Sequence, residues 1–96
     1  MEAKSKIVCG YKKITNLQTN PNSPNCAILC CYNGKEFYQE NGRPREKVIR
    51  FVDLACDEAK ARICEEQFDT PKDYLGKVKI MRDALNEYIE HLERNL

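Results

Sequence analysis

Six cysteines, a single histidine and a group of carboxylates are the side chains best suited to chemistry in this 96-residue sequence. A structural zinc ion takes four such ligands, and a C-x-x-C pair is the usual local source of two. Cys9, Cys26, Cys30, Cys31, Cys56 and Cys64 contain no such pair. Cys26 and Cys30 would share a strand face but sit about 13 Å apart along it. Cys56 and Cys64, taken as helical, would be about 12 Å apart. Only a cross-strand arrangement, Cys9 beside Cys30 or Cys31, would bring thiols within about 5 Å of each other. A thiol- or zinc-dependent regulatory role is therefore a third reading, and no metal ligand or cofactor is assigned. The simpler expectation is that these thiols act as small buried apolar groups.

The other reactive types give no constellation. His91 falls late in a helical stretch and off its apolar seam, where a solvated imidazole is expected rather than a base. Asp53, Asp57 and Glu58 have helical spacing, a pattern that a solvated helix face produces more readily than a cation site does. Glu65 and Glu66 beside Cys64 would raise its pKa and slow it as a nucleophile. Gly34 and Gly42 each follow an asparagine, which is turn chemistry and not a phosphate loop. The sequence predicts a protein that is not an enzyme.

Charge suggests binding instead. Residues 1–50 hold nine Lys and Arg against four Glu, whereas residues 51–96 hold seven against eleven acids. Arg43, Arg45, Lys47 and Arg50, with Lys12, Lys13 and Lys35, form the best candidate for nucleic-acid contact, and Tyr11, Phe37 and Tyr38 could stack on bases. This nucleic-acid reading is the alternative to a protein-binding one.

The elements that would position these groups are clearest at the end of the chain. Thr70-Pro71-Lys72-Asp73 supplies a capping hydroxyl, a proline at the first helical position and a carboxylate able to reach back. Tyr74, Val78, Met81, Leu85, Tyr88 and Leu92 then recur at alternating spacings of four and three, with Leu75 and Ile89 on one flank and Ala84 on the other. An amphipathic helix is predicted to run to Leu96.

Earlier, residues 6–14 mix β-branched and aromatic side chains with lysines, as a strand with one wetter face does. Residues 15–25 read as a long polar loop interrupted by two prolines. Residues 26–32 form the most hydrophobic run and suit a central strand. Asn33-Gly34 predicts a tight hairpin, with residues 35–40 returning. From 45 to 67, Val48, Val52, Ala55, Ala59 and Ile63 fit one helical face, and Phe68-Asp69 leaves a short link to the last helix.

The expected fold is α+β: a three-stranded antiparallel meander over 6–40 followed by a hairpin of two long amphipathic helices over 45–96, all within a single domain of residues 1–96. Such helices would overhang so short a sheet and leave apolar residues in need of cover. Ile80, Tyr88, Ile89, Leu92 and Leu96 are the predicted partner-binding residues. With no signal-peptide core after the first residues and no apolar run of membrane-spanning length, a cytoplasmic protein is expected. The function expected is that of a small interaction module, a homodimer that regulates or inhibits a larger protein by binding it.

Overall fold

The computed structural model describes residues 5–22 and 27–96. The chain falls into two compact units, Met1–Cys64 and Glu65–Leu96. The first is an antiparallel sheet of four strands in sequential order: β1 (Lys6–Asn16), β2 (Ala27–Glu40), β3 (Arg43–Cys56) and β4 (Ala59–Cys64). The second carries one helix, α1 (Pro71–Asn95).

This corrects the expected meander with a helical hairpin. The segment read as the first long helix is β3, a tight turn and β4. The error has a definite origin: Val48 and Val52 are four apart, and a spacing of four satisfies a period of two as well as one of 3.6. Ala59 and Ile63 are likewise four apart on β4, and the two-residue turn at Asp57-Glu58 keeps them on the same sheet face as Val52. The run Val48-Ile49-Arg50-Phe51-Val52 has the β-branched and aromatic content of a strand, and that local preference decides the outcome.

The second correction concerns which Asn-Gly makes the hairpin. Asn33-Gly34 lies inside β2, opposite Arg50 and Ile49. Asn41-Gly42 turns the chain, with φ of 53° and 76°, both in the left-handed region that a type I′ turn requires. Gly34 answers a different demand. A Cβ there would stand 2.7 Å from the Val8 carbonyl oxygen and 2.8 Å from the Tyr32 hydroxyl, because Tyr32 lies along its own strand over the glycine. The strands are correspondingly long. At about 3.3 Å per residue β2 and β3 reach about 46 Å, against about 37 Å for α1 at 1.5 Å per residue. The expectation that helices overhang a short sheet is overturned.

Pro44 is within β3 opposite Gln39. It is tolerated because β4 pairs only with Phe51 to Cys56, leaving the Pro44 end of β3 along an edge, where a missing N–H costs no ladder bond. β1 is the opposite edge strand and is bent by an irregularity at Gly10, between Cys9 and Tyr11. The loop after it is shaped by asparagines: Asn16 Oδ1 accepts from the Gln18 N–H and Asn20 Oδ1 from the Asn22 N–H, at 2.9 and 3.0 Å. The remainder of the predicted 15–25 loop, including Asn25, lies outside the described residues.

In the second unit the capping box forms as its residues predict. Asp73 N–H donates to Thr70 Oγ1 at 3.1 Å, and Thr70 N–H to Asp73 Oδ2 at 2.8 Å. Just before it, Asp69 accepts from the Glu66 N–H and from Lys77 Nζ, tying the approach to the helix's second turn. Those two donors hold the Asp69 carboxyl below its ordinary pKa, Lys77 contributing most.

Candidate functional site: an aromatic-cation ladder and two apolar surfaces

Strand register sorts the sheet residues between two faces, since paired residues project to the same side and alternate along each strand. One face carries a ladder of unlike side chains. Tyr32 on β2 stacks on Phe51 of β3, ring centroids 5.1 Å apart and planes within 9°. The Arg62 guanidinium of β4 lies 3.8 Å from the Phe51 centroid. Arg62 is held there by Asp53, the one buried charged residue among those described. Its Nε donates to Oδ1 at 2.6 Å and its Nη2 to Oδ2 at 2.7 Å, a two-pronged fork. Lys60 Nζ stands 3.4 Å from Oδ2.

The electrostatics follow. The Arg62 bonds hold the Asp53 carboxyl below its usual range, burial opposing them and Lys60 adding to them. Arg62 is raised for the reciprocal reason. Tyr32 is raised by partial desolvation and then by its contact with Cys9. With both carboxylate oxygens engaged by cations, Asp53 is a structural anchor and a poor general base or metal ligand. Asp53, Asp57 and Glu58 do not form the helical cluster their spacing suggested: Asp53 is on β3, and the other two make the β3–β4 turn.

The cysteines are dispersed by the same register. Cys9 stands opposite Gly34, Cys30 opposite Asp53 and Ile14, and Cys31 opposite Val52 and Lys13. Cys9 is therefore displaced along β2 by three positions from Cys31 and four from Cys30, about 10–13 Å, too far to share one ion. Cys26 lies outside the described residues.

The seven basic candidates also divide. Lys12, Arg43, Arg45 and Lys47 share the face of the ladder; Lys13, Lys35 and Arg50 project from the other. Arg43 and Lys47 are opposite Glu40 and Glu36, Lys35 pairs with Glu46 at 3.7 Å, and Arg50 Nε donates to Asn33 Oδ1 at 3.1 Å. Tyr11 and Phe37 are on the second face and Tyr38 on the first. No single basic, aromatic surface gathers them.

The second face is the more apolar. Leu29, Cys31, Val52, Leu54, Cys56, Ala61 and Ile63 adjoin one another across β2, β3 and β4, with Val8, Tyr11, Phe37 and Val48 farther along. Leu54 is 45% exposed, and among the described residues no hydrophobic side chain is buried. On α1, Tyr88, Ile89 and Leu92 of the predicted partner set share one stripe with Leu85, which is 60% exposed. Leu96 is at the helix C-cap, and Ile80 projects from a different side of α1, 70% exposed.

No family model, curated protein or solved structure matches this chain. These surfaces are the features of the chain that bear on its function. The sheet face escaped the sequence reading because its residues lie in the segment taken for a helix. The signal was there in the β-branched and aromatic run Val48-Ile49-Arg50-Phe51-Val52, apolar on both faces of a strand. A second lay in the nine-residue interval from Asp53 to Arg62, which a two-residue turn places directly opposite each other. No described helix is long and apolar enough to cross a membrane.

Proposed function

We propose that this chain is a small non-enzymatic interaction module, acting in the cytoplasm as a homodimer, that regulates a larger protein by binding it. The observation that carries the reading is the exposure of Leu54, Leu85 and their neighbours on a sheet and a helix with no buried hydrophobic side chain among the described residues. Contiguous exposed apolar surface of this kind is costly in water and marks a site of protein association. Self-association takes the α1 stripe of Tyr88, Ile89 and Leu92. Ile80, on another side of the helix, stays available to the larger partner. The nucleic-acid alternative is weaker because Lys12, Arg43, Arg45 and Lys47 stand on the face opposite to Lys13, Lys35 and Arg50, and phosphate binding needs cations gathered along one path.

A photo-crosslinking amino acid at Ile80, introduced in the cells that make the protein, tests the regulatory part. The reading expects one dominant adduct with a larger protein, lost when Lys79 and Asp83 beside the probe are both changed to alanine. Adducts only with nucleic acid, or a diffuse set indifferent to that change, would overturn it.

A further inference from the structure

The sheet has two open edges, and they are not alike. β1 is bent at Gly10 and sets Lys6, Lys12 and Lys13 along its rim, devices that discourage pairing. β3 is covered by β4 only from Phe51 to Cys56, so Arg43 to Ile49 have no described strand on that side. That stretch is about 23 Å long at about 3.3 Å per residue, and its residues from Arg43 to Val48 are exposed.

Register decides which main-chain groups face outward. Alternate residues of an antiparallel strand bond to opposite sides, and the two residues flanking a two-residue turn bond to each other. Glu40 and Arg43 flank Asn41-Gly42, so Arg43, Arg45, Lys47 and Ile49 bond to β2. Glu46 and Val48 therefore turn both N–H and C=O to the open side, and Pro44 turns its C=O there. Cys56 and Ala59, flanking the next turn, give the same alternation from the other end. An extended chain laid along this edge, in line with β4, meets donors and acceptors in strand geometry. Beyond Phe37, where β1 begins, Tyr38–Glu40 and Arg43–Arg45 form a ribbon only two strands wide. Such a ribbon gains most from a third strand.

Charge selects the occupant. Arg43, Arg45 and Lys47 alternate along the edge and project to one face, with Glu40 and Glu36 one strand further in. Glu46 projects to the other face and is engaged by Lys35 at 3.7 Å. A second copy of this edge fits badly, because a two-fold axis at Lys47 sets Lys47 against its own image, and an axis at Glu46 does the same to Glu46. An axis at Val48 would bring the second copy's Arg45 opposite Phe51, where Cys64 of β4 already stands. A nucleic-acid strand fits badly too, since phosphate oxygens only accept hydrogen bonds and the outward carbonyls would go unmet. A peptide with acids at alternate positions satisfies the main chain and the cations together.

Resting on the binding of a larger protein proposed above, we infer that Arg43 to Ile49 of β3 is a docking edge for an extended acidic segment of that protein. The segment adds to the sheet antiparallel to β3, its main chain bonded to Glu46 and Val48 and its alternate carboxylates facing Arg43, Arg45 and Lys47.

The probe is a fluorescent, end-blocked peptide, Glu-Val-Glu-Val-Glu-Val-Glu, titrated with the full chain and read by anisotropy. Methylating its valine nitrogens, which face β3 in this pairing, is expected to weaken binding about 10-fold or more, whereas methylating the outward glutamate nitrogens changes it less than about 2-fold. The change is made on the peptide, so folding of the protein is not at stake. Arg45→Thr with Lys47→Thr, exposed positions where threonine suits a strand, is expected to weaken binding about 10-fold with the circular dichroism of the wild type. Equal binding by the two methylated peptides would show attraction by charge alone and overturn the docking edge. So would a peptide that does not bind, or a single-stranded oligonucleotide of equal charge that binds more tightly. The crosslink at Ile80 decides the larger-partner reading by itself, so the two failures are told apart.

Discussion

Asp53 shows how much of the sheet hangs on single side chains. Its carboxylate fixes Arg62, which covers Phe51, which stacks on Tyr32, so one anion organises three strands. Because its folded pKa is lowered, its contribution is fully present above the ordinary carboxylate range and disappears as the pH falls through the folded value. Asp53→Asn is expected to cost about 1 kcal/mol near neutral pH, a modest figure because water screens the pair. The gap between the two urea-unfolding curves should close on acidification; a gap that persists at low pH would show that lost shape, and not lost charge, is responsible. Gly34 makes a stricter demand. Gly34→Ala forces a Cβ against the Val8 carbonyl and the Tyr32 ring, at an expected cost of about 1–3 kcal/mol. Thermal melts compared with the wild type check this. Neither role was legible beforehand: Asn-Gly has two structural uses, and only the placing of Tyr32 two residues earlier distinguishes them.

At the scale of elements, legibility followed how local the determining physics is. The start of α1 could be read from four consecutive residues because a capping box involves nothing outside them. Thr70→Ala removes the hydroxyl that receives the Asp73 N–H and is expected to destabilise the helix by about 1 kcal/mol. Faster amide exchange confined to its first turn is the measurable sign. The antiparallel strand at 6–14 and the hydrophobic strand from 27 were also readable, since their β-branched composition is a local property. β3 and β4 were not, because apolar residues four apart serve a helix and a strand alike. The Asp57-Glu58 turn carries no glycine to mark the break. Its positive φ at Asp57 is one that aspartate tolerates better than most residues but does not advertise.

For the molecule as a whole, the proposed binding role rests on exposed apolar surface and not on the expected helical hairpin, which the fold replaces with a sheet. The predicted partner residues Tyr88, Ile89 and Leu92 do lie on one stripe of α1, while the larger share of exposed apolar surface proved to be on the sheet. The basic candidates are divided by strand alternation, which no count of charges along a sequence reveals. The central claim is that the chain associates with itself through these surfaces. Its most direct test is the native mass of untagged, reduced protein measured across a dilution series. The account predicts twice the chain mass of 11.2 kDa, giving way to the single chain only on dilution. A mass of 11.2 kDa at every concentration would contradict it.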